Sequence, residues 1–574
     1  MANLEELLRQ RLAPAFEAVA GEPVDPVLRR SQRADYQADG SLALARRLGT
    51  NPRDIATRVL GSAQLDDLCE EAEVAGPGFV NLAIRNDTLG ALLATVDRDD
   101  RLDVPPTDQP DVVTVDYSAP NLAKEMHVGH LRSTVIGDAA VRLLEWLGHR
   151  VLRFNHVGDW GTPFGMLIEH LLDVGETEAV EELSVRDLNT FYRAARKKFD
   201  GDPTFAERAR LRVVALQSGD ETTRRLWRLL VTESQKYFMA VYDRMDVRLS
   251  TEDFYGESFY NDLLHPVVAE LDGLGLLRDS EGAQCVFPEG FTNRDGQPLP
   301  LIVRKSDGGF GYAATDLATI RYRTQDLKAT RLLYFVGSPQ RQHLEMVFQT
   351  AREARWLKPP ARAEHVGFGS VLGADGKMLA SRAGVAVKLV DLLAEAVNRA
   401  RAIIEEKNPD LDEATRDEVA RAVGIGAIKY ADLSTDRTKD YVFDFDRMLS
   451  LHGNTAPYLQ YAHARVRSIF RRAGIEPPRA GDAVAVREPP ERALAIELLA
   501  FDPVVHDVAS TLEFHRLAAH LHGLASTFTT FYEKCPVLKA DEPVRTSRLV
   551  LCDLTARTLE RGLSLLGISA PDRM

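Results

Sequence analysis

Two histidines three residues apart are the side chains of this chain best suited to chemistry. His127 and His130 flank Gly129, directly before a helix-like stretch that ends at Gly148. A helix start presents free backbone N–H groups and about half a positive charge, and glycine lets a ligand approach the backbone closely. The pattern therefore indicates a nucleotide phosphate site. A structural role for the two histidines remains open on this evidence.

A metal site is the other chemistry that paired histidines can supply. The four cysteines, at positions 69, 285, 535 and 552, are too scattered to complete a ligand set. The histidines also lack the spacing of the helical metalloprotease motif. We therefore expect no metal site built by the protein alone.

The elements around the histidines predict an α/β sheet. Val112, Val113 and Val115 form a short β-branched run, and apolar residues from Leu131 to Leu147 recur at helical spacing, so strand, loop and helix follow one another. Residues 150–157 form a second strand, which ends in the turn 158–161. Ligands bind at the carboxyl ends of parallel strands. The turn and the histidines should therefore share one edge.

The sequence from 170 to about 300 is charged and helical, and we interpret it as an insertion into the sheet. The sheet is expected to resume near 299–304, followed by a helix to about Thr324 and a strand at 331–336. Residues 369–384 then form a glycine-containing loop with a basic second half, which we expect to be mobile. A solvated hairpin is the alternative, but a basic loop near a phosphate site suits a reaction that expels pyrophosphate.

The two ends of the chain read as separate domains. Residues 1–108 predict a small α/β domain, and a Pro-rich linker precedes residue 111. The catalytic α/β domain then spans 111–390, a helical connector 391–440, and an all-α helical bundle 441–574. In the bundle, Tyr461, Arg465 and Arg472 share one helix face, where they could contact RNA phosphates and bases or merely face solvent.

Composition sets limits on the class of protein. With 574 residues, 45% hydrophobic and 27% charged, the chain is typical of a globular protein with several domains. Its net charge of −14 argues against a nonspecific nucleic-acid coat, although residues 441–574 are neutral, with 16 charges of each sign. No apolar run is long enough to span a bilayer, the start does not resemble a signal peptide, and the cysteines show no disulfide pattern. We expect a cytoplasmic protein.

Several motifs together resemble class I aminoacyl-tRNA synthetases, and among them the arginyl-tRNA synthetases. The class signatures are represented by His-Val-Gly-His at 127–130 and Lys-Met-Leu-Ala-Ser at 377–381. Arginyl specificity is suggested by Ser-Ala-Pro-Asn-Leu-Ala-Lys at 118–124, Asn-His-Val-Gly-Asp-Trp-Gly at 155–161 and Gly-Asn-Thr-Ala-Pro-Tyr-Leu-Gln-Tyr-Ala-His-Ala-Arg at 453–465. The resemblance covers the chain from 111 to its last residue, and the N-terminal domain matches the family's additional, tRNA-contacting domain in size and place.

The resemblance implies a fold and an activity. The catalytic domain would be a Rossmann-like parallel sheet, and residues 441–574 would bind the anticodon. The enzyme would ligate L-arginine to its tRNA with ATP as a substrate and arginyl-adenylate as the intermediate, and tRNA would be needed before the adenylate forms. Mg²⁺ is expected with ATP, and we expect a monomer with no membrane partner.

The resemblance also assigns roles to residues. The arginine pocket would comprise Asp116, Asn121, Tyr312, Asp316 and Gln340. The ATP phosphates would be bound by His127, Gly129, His130 and Lys377, and the catalytic set would consist of Lys124, His127, His130, Lys377 and Arg382. The tRNA contacts would include Tyr461, Arg465 and Arg472. Fixed acceptors around a planar guanidinium can reject lysine, whose compact ammonium would leave some of them unpaired.

Two positions depart from the family pattern. Ala380 stands where the second signature carries its later lysine, and the family members with this departure are thought to use the lysine just before the histidines, here Lys124. Pro163 stands where glutamine is usual. Two other functions remain possible on the sequence: a nucleotidyltransferase that adenylates a small acid without RNA, and a nonenzymatic RNA-binding protein.

Overall fold

The computed structural model describes residues 3–31, 33–122, 124–176, 188–379, 387–481 and 484–574. The chain divides into two compact units. One comprises residues 1–105, 451–564 and 569–574, and the other comprises residues 106–450 and 565–568. The first and last parts of the chain therefore share a unit, although the sequence suggested a separate domain at each end.

The N-terminal part of the first unit is a four-stranded antiparallel sheet with helices. Its elements are α1 (Leu4–Ala20), β1 (Leu28–Arg30), β2 (Tyr36–Ala38), α2 (Gly40–Leu48), α3 (Pro52–Ser62), β3 (Cys69–Ala75), β4 (Phe79–Ile84) and α4 (Asn86–Arg98), with strand order β1-β2-β4-β3. Asn3 and Asn51 cap α1 and α3 because each side chain accepts a bond from a backbone N–H in the first turn.

The second unit is organised around a five-stranded parallel sheet of order β12-β11-β5-β6-β7. Its elements begin with β5 (Val112–Asp116), α5 (Leu131–Trp146), β6 (Arg150–Val157), α6 (Thr162–Val174), α7 (Leu188–Gly201), α8 (Pro203–Ser218), α9 (Glu221–Met245) and β7 (Phe254–Gly256). The predicted strand, loop and helix around the histidines are thus confirmed. Pro163 lies in the first turn of α6, where its missing N–H removes no helical bond.

The unit continues with α10 (Asn261–Gly273), β8 (Leu277–Ser280), β9 (Ala283–Val286), β10 (Leu301–Arg304), α11 (Tyr312–Gln325), β11 (Arg331–Tyr334), α12 (Arg341–Glu353) and β12 (Arg362–His365). It ends with β13 (Val371–Leu372), α13 (Leu389–Lys407), α14 (Glu413–Leu433), β14 (Tyr441–Val442) and α15 (Phe445–Met448). Apolar side chains of α10, α11, β11 and α12 form a common core.

Two predictions about the insertion are wrong. The strand at 301–304 does not resume the parallel sheet, because it pairs antiparallel with β9 in a separate three-stranded sheet. Conversely, β7 lies within the predicted insertion but pairs in parallel with β6 at the edge of the main sheet. Both errors arise because a short strand shows its apolar pattern in the sequence but not the partner with which it pairs.

The first unit is completed by helices α16 (Ala456–Ala473), α17 (Pro489–Leu499), α18 (Phe501–Thr511), α19 (Phe514–Lys534) and α20 (Val544–Leu565), whose last residue belongs to the second unit. This bundle packs against the N-terminal domain around Asp97, which is fully buried. Arg557 donates to its Oδ1 at 3.1 Å, and the backbone N–H of Ala480 donates to its Oδ2 at 2.8 Å.

Candidate active site

The two histidines lie in a short 3₁₀ helix, Val128–His130, that joins the loop after β5 to α5. The Nδ1 of His127 accepts a bond from the N–H of Gly129 at 3.1 Å, and the Nδ1 of His130 accepts one from the N–H of His127 at 3.2 Å. A ring nitrogen that accepts from an N–H carries no proton, so the neutral ring of His127 carries its proton on Nε2. The Nδ1 of His130 also lies 3.3 Å from the carbonyl of His127, to which it can donate in the other tautomer. The ring of His127 can therefore donate to a phosphate oxygen through Nε2, and the ring of His130 can do so in the tautomer whose Nδ1 accepts from the N–H of His127.

Both rings are held neutral by their surroundings. Burial and, to a lesser degree, the charge of Lys124 lower the pKa of His127. Burial and His127 lower the pKa of His130 to about 4. The ring centroids are 4.2 Å apart, so protonating one ring disfavours protonating the other. The pair can thus act on a phosphate as hydrogen-bond donors without carrying a charge at neutral pH.

Lys124, three residues before His127, contacts the insertion. Its Nζ lies 4.5 Å from the centroid of the Tyr192 ring on α7, a cation–π distance. The lysine is half-buried. The side chain of this predicted catalytic lysine therefore packs against an aromatic ring of the insertion.

The second signature begins in a hairpin. The backbone N–H of Gly373 donates to the carbonyl of Lys377 at 2.8 Å, and that of Leu379 donates to the carbonyl of Val371 at 3.0 Å. Lys377 is exposed near the tip. The hairpin alternative therefore holds for residues 371–379, whereas Ala380 and Arg382 lie outside the described residues.

The segment 387–389, which precedes and begins α13, contacts the histidine segment. The N–H of Val128 donates to the carbonyl of Val387 at 2.9 Å, and the N–H of Leu389 donates to the carbonyl of Met126 at 2.9 Å. Lys388 also pairs with Glu125, with Nζ and Oε2 2.8 Å apart. Backbone pairing therefore joins residues 387–389 to the segment that carries the histidines.

A strained turn separates β5 from the histidine segment. Ser118 and Ala119 have φ values of 69° and 50°, in the left-handed region that non-glycine residues rarely occupy. The buried amide of Asn155 on β6 accepts from the N–H of Ala119 at 3.0 Å and donates to the hydroxyl of Tyr242 at 3.0 Å. That hydroxyl also lies 2.8 Å from the Ser118 hydroxyl. A buried polar network thus keeps the turn in place.

The Gly-Asp turn after β6 fits closely against its neighbours. A Cβ atom at Gly158 would lie 2.3 Å from the Oδ1 of Asn121, so only glycine leaves room for that amide. Asp159 is buried and accepts two bonds from Ser258, at 2.9 Å from the backbone and 2.6 Å from the hydroxyl. Burial nevertheless raises the pKa of Asp159. Asn121 is exposed beside this turn.

Helix α11 carries two of the predicted arginine-pocket residues on one face. Tyr312 is 79% exposed, and Asp316 is half-buried one turn later. The Nε2 of His343 on α12 lies 2.6 Å from the Oδ2 of Asp316, and this bond raises the pKa of His343. Tyr312 and His343 also line a cavity of about 460 Å³ together with Lys305 and several apolar side chains.

The other predicted carboxylate is at the end of β5. Asp116 is 6% exposed, and its Oδ2 accepts a bond from the Nη2 of Arg323 at 2.6 Å. Gln340 is exposed in the 3₁₀ helix Ser338–Gln340, which follows β11, the strand next to β5. Glu257 adds a third acidic group nearby, since burial and the charges of Asp159 and Asp316 raise its pKa to about 7.

The structure brings several of the predicted site residues to one edge of the parallel sheet, whereas Arg382 lies outside the described residues. Two adjacent strands end at these residues. Asp116 is the last residue of β5, which Asn121 and the histidine segment follow, and Gln340 follows β11. Sequence reasoning missed several partners of these residues, namely Tyr192, Tyr242, Glu257, Arg323 and His343. Only Arg323 and His343 left a trace in the sequence, since each lies a few residues from a residue of the predicted arginine pocket.

The predicted RNA-facing helix of the bundle is present as α16. Thr455 caps it by accepting from the N–H of Tyr458 at 3.3 Å, and Gly474 ends it in the left-handed conformation. Tyr461 is 46% exposed, and Arg472 is exposed. Arg465 is half-buried and lies 4.9 Å over the ring of Tyr532.

The N-terminal domain presents a basic cavity of about 370 Å³. It is lined by Arg29, Arg30, Ser31, Arg33, Gln37, Ala75, Phe79 and Asn81. Arg29 lies 5.8 Å over the ring of Phe79. Arginines beside an aromatic ring and amides match the donors and the stacking surface that an unpaired base and its phosphate require.

The described residues contain neither a metal-ligand cluster nor a membrane-spanning helix. No group of three His, Cys, Asp or Glu side chains within them could hold a metal ion. Every helix in the described ranges is too short or too polar to cross a lipid bilayer.

Three protein families match consecutive parts of the chain. Residues 2–84 match the family described as arginyl tRNA synthetase N terminal domain, and residues 93–445 match tRNA synthetases class I (R), catalytic domain. Residues 459–574 match the DALR anticodon binding domain.

Individual relatives resemble the chain over its full length. It is 55% identical to the arginine–tRNA ligase of Thermobifida fusca and 49% identical to that of Synechococcus elongatus, and at least 99% of every chain is covered. The crystal structure of arginyl-tRNA synthetase from Plasmodium falciparum superposes with a TM-score of 0.85, and the structure from Thermus thermophilus with 0.84. Both are 28% identical and cover at least 99% of each chain.

Proposed function

The chain belongs to the arginyl-tRNA synthetases, a family of class I aminoacyl-tRNA synthetases, and on this premise we propose that it ligates L-arginine to its tRNA with ATP. The observation that carries the proposal is the meeting of three features in one unit: a phosphate-binding helix start, acceptors for a guanidinium, and the hairpin of the second signature.

The first step joins arginine to AMP. The arginine carboxylate attacks the α-phosphorus of ATP, the bond to the bridging oxygen breaks, and pyrophosphate leaves. The second step transfers the arginyl group to a hydroxyl of the terminal ribose of tRNA, which releases AMP. Because no covalent enzyme intermediate is needed, the protein contributes positioning and charge stabilisation.

We assign arginine recognition to Asp116, Asn121, Tyr312, Asp316 and Gln340. Asp316 offers a half-buried carboxylate to the guanidinium, and Tyr312 is exposed one helical turn away. Asp116 lies at the end of the central strand, next to the strand that Gln340 follows. Lysine would satisfy fewer of these acceptors, since its ammonium has three donors and the guanidinium has five.

We assign the ATP phosphates to His127, Gly129, His130, Lys124 and Lys377, with Arg382 as a further cation. The Nε2 proton of His127 can donate to a phosphate oxygen, the ring of His130 lies beside it, and the backbone at Gly129 is open to a close approach. Lys124 lies three residues before His127, with its Nζ over the ring of Tyr192. Lysine and arginine charges would then stabilise the departing pyrophosphate.

Mg²⁺ would arrive with ATP and bind mainly to phosphate oxygens. This ion prefers oxygen ligands and retains several waters, so it needs few protein ligands. The donor set fits this arrangement, because the predicted phosphate contacts are histidines, lysines and backbone N–H groups that bind the phosphates and not the ion. When bound, Mg²⁺ would neutralise charge on the phosphates.

We propose that tRNA contacts both domains of the first unit. The anticodon end would bind the exposed face of α16 that carries Tyr461, Arg465 and Arg472, within the proposed domain 441–574. The N-terminal domain, proposed as 1–108, would contact the tRNA through its basic cavity beside Phe79. The catalytic domain 111–390 and the connector 391–440 complete the proposed division. We further propose a cytoplasmic monomer.

Aminoacylation with each amino acid in turn tests the proposal most directly. Purified protein, ATP, Mg²⁺ and a bacterial tRNA pool should yield arginyl-tRNA, while lysine should give no measurable product. If no amino acid is charged, the proposed function is wrong. Pyrophosphate exchange with a small acid in the absence of RNA would instead identify a nucleotidyltransferase.

A further inference from the structure

A ready-made guanidinium site lies beside the predicted arginine pocket, and the chain's own Arg323 fills it. Tyr334 on β11, Asp116 on β5 and Phe154 on β6 are direct neighbours across three parallel strands. Residues in register on adjacent parallel strands point to the same face of the sheet. The sheet thus presents a row of ring, carboxylate and ring.

The guanidinium of Arg323 is centred on this row. Its carbon lies 4.2 Å from the centroid of the Phe154 ring and 5.1 Å from that of Tyr334. Its Nη2 donates to the Oδ2 of Asp116 at 2.6 Å. A planar cation prefers aromatic faces and carboxylates as partners. The three contacts together therefore hold the guanidinium in one orientation.

Stability alone does not explain this arrangement. Arg323 is fully buried, and its Nε and Nη1 have no hydrogen-bond acceptor among the described residues. A buried cation with unpaired donors is costly, and an apolar side chain in its place is often as stable or more so. The hydrogen bond through Nη2 joins this guanidinium to Asp116, and the hydroxyl of Tyr260 is a second polar neighbour.

The helix that carries Arg323 also carries the other side of the pocket. Tyr312, Asp316 and Arg323 lie on α11, and positions eleven apart differ by only about 20° around a helix. All three therefore share one face. The N-terminal part of the helix presents the pocket residues, and its C-terminal part is fastened to Asp116 on the sheet.

We propose that Arg323 is a positioning residue for arginine binding. It holds the carboxylate of Asp116 in one orientation and at a fixed distance from Asp316, so that the two carboxylates together match the fork of the substrate's guanidinium. The inference rests on the proposed arginine specificity and assigns Arg323 no direct contact with the substrate.

The test compares Arg323→Lys with Arg321→Lys. Lysine keeps the buried charge but replaces a planar fork by a point donor, so Asp116 should lose its fixed orientation. Arg321 lies on the same helix but is half-buried and donates to Glu270 at 2.8 Å, outside the pocket. Arginine charging by the wild-type enzyme is measured first, and its absence would refute the proposed function and not this inference.

With wild-type charging established, Arg323→Lys should raise KM for arginine by about tenfold or more. The KM values for ATP and tRNA should stay within about twofold, and Arg321→Lys should leave all three unchanged. An unchanged or lower KM for arginine overturns the proposal. So does an equal loss in all parameters together with a lower Tm, because that result indicates a purely structural role.

A second variant covers the case in which Arg323→Lys does not fold. Phe154→Leu removes one ring from the guanidinium and alters no charge. It should raise KM for arginine severalfold without affecting KM for ATP, since Arg323 and Asp116 would become less ordered. An unchanged KM for arginine in a folded Phe154→Leu enzyme overturns the proposal.

Discussion

At the scale of single residues, each carboxylate of the predicted arginine pocket already has a cationic or titratable partner on the chain. Asp316 binds His343, and Asp116 binds Arg323. A carboxylate accepts several hydrogen bonds, so a partner on one oxygen leaves the other for a substrate. The pocket is thus a set of oriented acceptors and not a pair of free charges.

Removal of the Asp316 carboxylate should weaken arginine binding strongly. In Asp316→Ala, the guanidinium loses a charged acceptor and His343 loses its partner, a loss of about 2 to 5 kcal/mol for a truncated charge pair. The value of kcat/KM for arginine should fall at least about 30-fold. Steady-state charging measures it, with Asp326→Ala at the exposed end of α11 as the control. Normal charging by Asp316→Ala would show that the assigned pocket is wrong.

The bond between His343 and Asp316 should make arginine binding depend on pH. It raises the pKa of His343 above its ordinary value of 6.5, so the folded enzyme keeps this ring protonated to a higher pH than the unfolded chain does. A protonated ring repels the substrate's guanidinium and competes for the Asp316 oxygens. The KM for arginine should therefore fall as pH rises from about 6 to 8.5.

The same pair contributes to stability with a defined sign. Its contribution is fully present below pH 6.5 and is lost as pH rises through the raised pKa of the folded state. His343→Gln should flatten the dependence of KM on pH while keeping a hydrogen bond to Asp316. A pH profile of His343→Gln that coincides with the wild-type profile would refute this account.

At the scale of elements, the active-site loop depends on the insertion. The left-handed turn at Ser118 and Ala119 is bonded to Asn155 on β6 and to Tyr242 on α9. Asn121, Lys124 and both histidines follow this turn within a dozen residues. A helix of the insertion therefore helps to set the position of residues that we assign to both substrates.

Loss of the Tyr242 hydroxyl should affect both substrates. Tyr242→Phe leaves the buried amide of Asn155 without an acceptor, which costs about 1 to 3 kcal/mol. The turn should shift, and kcat/KM should fall for arginine and for ATP together. Tyr322→Phe, a half-buried tyrosine on α11, is the control. A selective effect on one substrate would contradict the role given to the turn.

At the scale of the whole molecule, the chain's two ends build one unit and its middle builds the other. The proposed tRNA contacts lie in the first unit, and the proposed chemistry lies in the second. Charging therefore requires one tRNA to engage both units, whereas ATP and arginine need only the second.

Substitutions on the proposed RNA-binding face of α16 should weaken tRNA binding and leave arginine binding unchanged. Arg465→Ala and Arg472→Ala should each raise KM for tRNA about 3- to 10-fold and reduce the salt dependence of binding, because each removes a phosphate contact. KM for arginine should not change. The control is Arg516→Ala, since Arg516 is an exposed arginine of the bundle already paired with Asp507 and Glu513. If all three variants raised KM for tRNA equally, tRNA would not bind specifically to this face of α16.

Dependence of the first step on tRNA is the broadest prediction. The family resemblance implies that the adenylate forms only with tRNA bound. Exchange of labelled pyrophosphate into ATP should then require both arginine and tRNA. Equal exchange without tRNA would show that the second unit is complete on its own.

The sequence alone determined those features that depend on neighbours in the chain. The caps Asn3, Asn51 and Thr455 were predictable because capping joins residues two or three positions apart. The strand, loop and helix around His127 and His130 were predictable because periodicity records which face of an element is buried. The signature motifs carried the family resemblance for the same reason.

Tertiary structure decided what depends on pairing across long stretches of chain. The sequence misplaced β7 and β10 because an apolar strand does not specify its partner. It also missed Arg323 and His343 as partners of Asp116 and Asp316. Arg323 lies 207 positions from Asp116, and His343 lies 27 positions from Asp316. Charged residues are common, and only the folded sheet and helices determine which of them meet in a dry pocket, where a single hydrogen bond fixes a side chain.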